Sequence, residues 1–228
     1  MWKSVEIWRV ALRLRAFRDQ FLIAVIALPI TVVIMRVYLN RVEMRNGVVL
    51  PDPMLSIIPS LELNWVIFAV MYSGMLLGIV SLSLYPFRFL LMMRAFVLMI
   101  PLRIVCLFLL PLGPIPGGIP LVDPIVHFPV LRFASSHGLF FCWETATMVL
   151  LALTAQWKDM KMIFTSAAIV VSLLLLLQHA QYTIGIVAAP CFAYAAFGLA
   201  RAITVRDIRE LRASGRDEKP SAAGGRNM

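Results

Sequence analysis

Six separate apolar runs, each close to the length of a bilayer crossing, dominate what this chain can fold into. They cover Phe21–Leu39, Trp65–Tyr85, Phe89–Leu112, His137–Ala155, Met162–His179 and Tyr182–Ala200. A helix needs roughly 20 mostly apolar residues to cross the hydrocarbon core. Of the 228 residues, 61% are apolar and 14% charged, against about 25% charged in ordinary soluble domains. Too few polar residues remain to form a water-facing shell around six buried helices, which excludes a soluble fold. The runs are continuous, whereas the strands of a membrane barrel alternate, so helices are expected. The predicted fold class is an all-α membrane protein with six transmembrane helices.

The charges give this bundle a direction. Lys3, Arg9, Arg13, Arg15 and Arg18 precede the first run, interleaved with Trp2, Ile7, Trp8, Leu12 and Leu14. Residues 1–20 therefore read as a basic amphipathic helix on the inner leaflet or as an ordinary positive flank, and not as a signal peptide. Arg88 lies in the second connection, Lys158 and Lys161 in the fourth, and seven more basic residues follow Ala200, from Arg201 to Arg226. With six spans all of these fall on one side. The opposite connections offset Arg41 and Arg45 with Glu43, Asp52 and Glu62, set Arg132 against Asp123, and carry no charge at Gln178–Gln181. The positive-inside rule places both termini in the cytoplasm. The expected organisation is a segment 1–20, a six-helix domain 21–200, and a basic tail 201–228 that is disordered after Gly215. The net charge of +9 forms an inner collar suited to anionic lipid headgroups. Nucleic acid is excluded as a partner, because the basic residues flank spans instead of building a reading surface.

Under this topology His137 opens span four and His179 closes span five, so both lie on the outer face. An imidazole at the rim of a bundle suggests a use. Two buried charges accompany them. Arg103 lies about nine residues before the outer loop and Glu144 seven residues into span four, roughly 13 Å and 10 Å deep. Their depths suggest that they meet inside the bundle, either as a clamp between spans three and four or as an arginine held for a lipid phosphate. Cys106, Cys142 and Cys191 have no metal-ligand spacing and read as small apolar fillers. No nucleotide or zinc motif is present, so no cofactor or metal is expected. The Pro111–Gly118 segment reads as a rigid outer crossover.

Four motifs, in order, carry a resemblance. Leu50-Pro51-Asp52 with Ile58-Pro59 and Trp65 resembles the proline-aspartate motif before span two of sphingomyelin synthases. The stretch from Leu102-Arg103 to Pro111 resembles their arginine-bearing third span. Phe133 to Gly138, containing Ser135-Ser136-His137, resembles their Ser-Gly-His-Thr. Gln181-Tyr182-Thr183-Ile184-Gly185 resembles their His-Tyr-Thr-x-Asp. The resemblance runs from about Leu50 to Ala200 and includes six spans with cytoplasmic termini. It implies a lipid phosphatase/phosphotransferase scaffold in which a histidine attacks the phosphorus of a phospholipid headgroup. A phosphohistidine then forms and diacylglycerol leaves, and ceramide takes the headgroup. On this resemblance His137 fills the acid/base place. Arg103, Ser135, Ser136 and Tyr182 become the phosphate ligands. The nucleophile's place holds Gln181 and its orienting aspartate's place holds Gly185. Gly138 replaces the threonine, and Leu131 stands at the acidic position before the serines. His179 is the nearest substitute nucleophile, but it precedes Gln181 by two residues, about 200° around a helix; only a turn could redirect it.

Two readings follow. One is a membrane enzyme that moves phosphocholine or phosphoethanolamine between phosphatidylcholine or phosphatidylethanolamine and ceramide or diacylglycerol at the outer leaflet. The other is a catalytically silent homologue that keeps a lipid-binding cavity for binding, transport or assembly. A hydrolase with water as acceptor would need the same missing carboxylate. A plasma membrane or a secretory-pathway membrane fits equally, and a homo-oligomer is compatible with both readings.

Overall fold

In the computed structural model, residues 2–42, 47–122 and 140–217 are described, and among them every regular element is a helix. The elements are α1 (Trp2–Arg13), α2 (Arg15–Val42), α3 (Pro53–Ile57), α4 (Asn64–Leu82), α5 (Pro86–Leu109), α6 (Trp143–Thr154), α7 (Lys158–Leu177) and α8 (Thr183–Asp217). Pro53 and Pro86 open α3 and α5, where the missing amide hydrogen is no loss. Pro29, Pro101 and Pro190 lie inside helices, as is tolerated where neighbouring helices satisfy the freed carbonyls.

Among the described residues, five helices are long and apolar enough to cross a membrane: Arg15–Val42, Asn64–Leu82, Pro86–Leu109, Lys158–Leu177 and Thr183–Arg206. They correspond to five of the six expected spans. The fourth expected span differs. Its helix begins only at Trp143 and has 12 residues, about 18 Å at 1.5 Å per residue, while Phe140–Cys142 are non-helical and 137–139 lie outside the described residues. This short helix is the centre of the bundle. It packs against α4, α5, α7 and α8, and Thr145, Ala146, Thr147, Met148, Leu150, Leu151 and Thr154 are all buried. A helix apolar on every side belongs in an interior. At the other boundaries, α2 already starts at Arg15, and α8 continues through the first part of the tail to Asp217. Residues 218–228 lie outside the described residues.

Small residues let the helices approach. In α4, a Cβ at Gly74 would lie 2.9 Å from the Met148 sulfur and one at Gly78 2.7 Å from a Leu151 methyl. In α8 the stripe Ala189, Ala193, Ala196 and Ala200 is fully buried, the close packing that membrane helices use.

The chain's basic segments meet at one end. The Trp8 indole donates to the Ser83 carbonyl at 2.6 Å and lies edge-on to Phe21 and Phe89, which seats α1 on the bundle. Arg88 donates to the Thr154 and Ala155 carbonyls at 3.1 and 3.0 Å, tying the α4–α5 turn to the α6–α7 turn. Arg94 donates to Thr204 at 2.8 Å. The remaining loops gather at the opposite end.

Because Leu151 is 2% exposed, it has little room to yield. Gly78→Val should lower stability by about 1–3 kcal/mol through overpacking. Gly74→Ala should cost less, because the Met148 thioether can move. Thermal unfolding in detergent measures the difference.

Candidate functional site

At the end away from the basic segments, the α7–α8 turn organises two loops. The turn itself is set by hydrogen bonds at the end of α7. The His179 amide donates to the Leu176 carbonyl and the Ala180 amide to the Leu175 carbonyl, both at 3.0 Å, and His179 has φ 54°. This is a Schellman cap, with histidine at the left-handed position where glycine is usual. Asn, Asp and His are the side chains that best tolerate that region.

Each polar side chain of the turn then holds loop backbone. Gln178 is fully buried; its Oε1 accepts from the Leu63 amide at 3.1 Å, and its Nε2 donates to Asn64 Oδ1 at 2.8 Å and to the Ile119 carbonyl at 3.4 Å. The His179 ring nitrogen Nε2 lies 2.9 Å from the Ile58 carbonyl, so this nitrogen carries the proton and donates. Tyr182 is also fully buried; its hydroxyl donates to the Gly113 carbonyl at 3.3 Å and accepts from the Leu50 amide at 3.4 Å. Gly118 runs so close that a Cβ there would lie 2.5 Å from the His179 carbonyl oxygen, a close approach that requires glycine.

Asp52 closes this clasp. Its Oδ1 accepts from the Met54 amide at 3.1 Å, capping α3. The same oxygen accepts from the Thr183 hydroxyl at 2.9 Å, and Oδ2 accepts from the Thr183 amide at 2.7 Å. One carboxylate thus caps both α3 and the N-terminus of α8, where negative charge also complements the helix dipole. The sequence signal for the first cap was present, an Asp-Pro pair at 52–53. The second cap, 131 residues away in the chain, had no local signal.

Beneath the clasp lies a polar layer. Arg103, 6% exposed, places its guanidinium 5.5 Å from the Trp143 ring centroid. It forms no ion pair with Glu144: among the described residues the ion pair within 4.0 Å is Arg18–Asp19. Glu144, in the first turn of α6, lies beyond ion-pair distance but near enough for its charge to act on Arg103, and the Trp143 indole faces the cation. Glu144 instead accepts weakly from Cys142 Sγ at 3.6 Å. Cys142 is more than a filler, since its thiol also reaches Thr145 Oγ1 at 3.1 Å. The Thr145 and Ser172 hydroxyls lie 2.9 Å apart. Ser172 gives its hydrogen to the Ala168 carbonyl at 2.7 Å, so Thr145 donates to Ser172 and accepts from Cys142.

Among the described residues, four buried polar atoms have no hydrogen-bond partner: Tyr38 Oη, Arg103 Nε, Thr147 Oγ1 and Gln181 Oε1. Gln181 is 5% exposed. Gly185 is buried in the first turn of α8, its amide bonded to the Tyr182 carbonyl at 3.0 Å. Ser135, Ser136 and His137 lie outside the described residues. Among the described residues no group of three or more His, Cys, Asp or Glu side chains gathers as metal ligands would. Two surface depressions lie at the basic end, beside Gly198 and Arg201 and beside Ile7 and Phe87, away from this layer. No protein-family model matches the chain, and neither a curated protein nor a solved structure matches it.

Substitutions at two positions, Asp52 and His179, separate the clasp from chemistry. Asp52→Ala should lower stability by about 2–3 kcal/mol, through two lost caps and hydrogen bonds to a charged group. His179→Asn, which suits the left-handed position, should change stability by less than about 1 kcal/mol, whereas His179→Val should cost about 2 kcal/mol. Thermal unfolding in detergent reads both.

Proposed function

We propose that this chain is a six-span membrane protein, with both termini cytoplasmic, that binds the phosphate headgroup of a lipid at the outer leaflet on a sphingomyelin synthase-like plan. The observation that carries this reading is Arg103. It is a buried cation in a span, with Nε unpartnered and no carboxylate within ion-pair distance among the described residues. Charge in a span is costly and marks function by default. A phosphate is the ligand that a guanidinium's donors fit best. The gathering of Arg88, Lys158 and the α8 basic residues at the other end supports the cytoplasmic placement of that end.

The same layer argues against the phosphohistidine route. The nucleophile's place is Gln181, whose amide forms no stable phosphoryl intermediate. The orienting carboxylate's place is Gly185. His179, two residues before Gln181, is held by the Ile58 carbonyl at 2.9 Å as part of the turn. Asp52, the carboxylate bonded to that turn, is occupied as a double cap. Lipid binding without headgroup transfer is therefore the function we assign. Transfer through His137 with phosphatidylcholine or phosphatidylethanolamine as donor and ceramide or diacylglycerol as acceptor is the competing reading, and the resemblance of Ser135-Ser136-His137 to the family's acid/base motif favours it.

Purified protein incubated with labelled phosphatidylcholine or phosphatidylethanolamine and ceramide or diacylglycerol is expected to retain lipid and to transfer no headgroup. Arg103→Gln should weaken retention about tenfold or more, the loss of a charge-assisted hydrogen bond. Transfer that disappears in His137→Ala but persists in His179→Asn would replace this assignment with the enzyme.

A further inference from the structure

The apolar stretch of α8 runs over Thr183–Arg206. Beside its last turns, at the basic end of the bundle, lies a depression of about 530 Å³ lined by Gly198, Arg201, Ala202, Val205 and Arg206. All five are exposed. Around the helix, Ala202 and Val205 fall within about 40° of Gly198, whereas Arg201 lies about 60° to one side and Arg206 about 80° to the other. The depression therefore has a floor of small and apolar side chains and an arginine on each flank. That floor is open, because a Cβ at Gly198 would meet no neighbouring atom within 4 Å. Among the described residues Arg201 forms no ion pair. Arg94 of α5 donates to Thr204 at 2.8 Å and adds a third guanidinium to the same stretch of α8.

Arg201 and Arg206 close the apolar stretch of the helix, so their heads reach headgroup level, as long basic side chains do at the end of a span. A guanidinium fits phosphate oxygens. From these two residues the floor continues into the span, at the depth of acyl chains. An anion at one end and an apolar chain along the floor together describe a phospholipid. A headgroup with its own ammonium would set a like charge beside the arginines, so the arrangement favours a lipid of net negative charge. A second copy of this chain fits less well, because a parallel pair of α8 helices would bring the same arginines face to face. The depression beside α1 is lined by Glu6 and five apolar residues and has no such complementarity.

We infer that this face of α8 is a docking site for an anionic phospholipid of the cytoplasmic leaflet, with its phosphate between Arg201 and Arg206 and one acyl chain on the Gly198–Ala202 floor. The site is separate from Arg103 and shares with the reading above only the cytoplasmic placement of this end. The two arginines then do more than orient the chain in the membrane: they select the lipid that covers α8.

The test measures binding of phosphatidylglycerol and phosphatidylcholine to the full-length protein in detergent by native mass spectrometry. Phosphatidylglycerol should bind about tenfold more tightly, the value of one hydrogen bond to a charged group. Arg201→Gln combined with Arg206→Gln should remove that preference. Arg9→Gln combined with Arg13→Gln takes the same charge from α1 and should change the preference by less than about twofold, since exposed charges at a distance are screened. Gly198→Leu keeps every charge and has open space for its side chain. By filling the floor it should weaken phosphatidylglycerol binding about threefold or more, near the value of one buried methylene. Arg103→Gln should leave the preference in place, so that failure of one site is read apart from failure of the other. Equal binding of the two lipids, or a preference that survives the Arg201 and Arg206 substitutions, overturns the inference. Equal losses in both arginine pairs, the result expected of a diffuse basic collar, also overturn it. So does unchanged binding in Gly198→Leu, a dimer that Gly198→Leu dissociates, or displacement of the lipid by inorganic phosphate, which marks a site for soluble anions.

Discussion

The Asp52 carboxylate is the interaction on which the loop end of the bundle depends. Backbone that leaves a helix near the hydrocarbon core must find partners within the protein, since lipid supplies none. The segments 47–63 and 111–122 are such backbone. Asp52 fixes the first of them to the start of α8 by accepting the amide and hydroxyl of Thr183. Tyr182 then reaches from the same turn to both segments, and Gln178 holds Leu63 and Ile119. Without the carboxylate, the first amides of α8 and α3 would be unpaired together, and the turn would lose its link to the segment before α3. The residues of the α7–α8 turn are therefore spent on architecture first.

This commitment bears on the layer below. The clasp sits over the end of α6, which is only 12 residues long and buried on every side. The first residue of α6, Trp143, stands beside Arg103, where the indole face accepts the guanidinium. Cation–π contact satisfies the flat face of the cation but not its in-plane N–H donors, which is why Nε remains without a partner while the charge itself is accommodated. The arginine is stabilised where it is and still has hydrogen-bonding capacity in reserve.

How much of this was legible in the sequence follows from which interactions are local. The long apolar runs located five helices, because membrane helices are set by composition and length, but not the polar extensions of α2 back to Arg15 and of α8 on to Asp217. The clustering of basic segments at one end followed from counting spans. The start of α6 was not legible: apolar residues continue through Phe140–Cys142, and a central helix in a bundle has no polar flank to mark where it stops. The Arg103–Glu144 pairing was inferred from matched depth along two assumed spans; Glu144 is near enough for its charge to act on Arg103, but the two do not reach ion-pair distance. His179 was visible as an imidazole at the rim, and the two-residue offset from Gln181 correctly raised the question of a turn. Its left-handed φ was not visible, because histidine there replaces the glycine that would have signalled it.

The comparison between His179 and Gln181 decides how the turn should be understood. Were His179 kept for chemistry, its ring would need freedom to meet a phosphorus atom, and its Nε2 would need to be unprotonated to attack. Instead that nitrogen donates to a carbonyl at 2.9 Å, on a residue whose backbone is fixed by two hydrogen bonds of the Schellman cap. Gln181, two residues on, has the reverse character. Its amide oxygen is buried and unpartnered, although the turn around it leaves few other polar groups unused. A residue retained only for packing would be better served by leucine or methionine, which bury no acceptor. The His179 imidazole is thus committed to the turn, whereas the Gln181 carbonyl has no hydrogen-bond partner among the described residues.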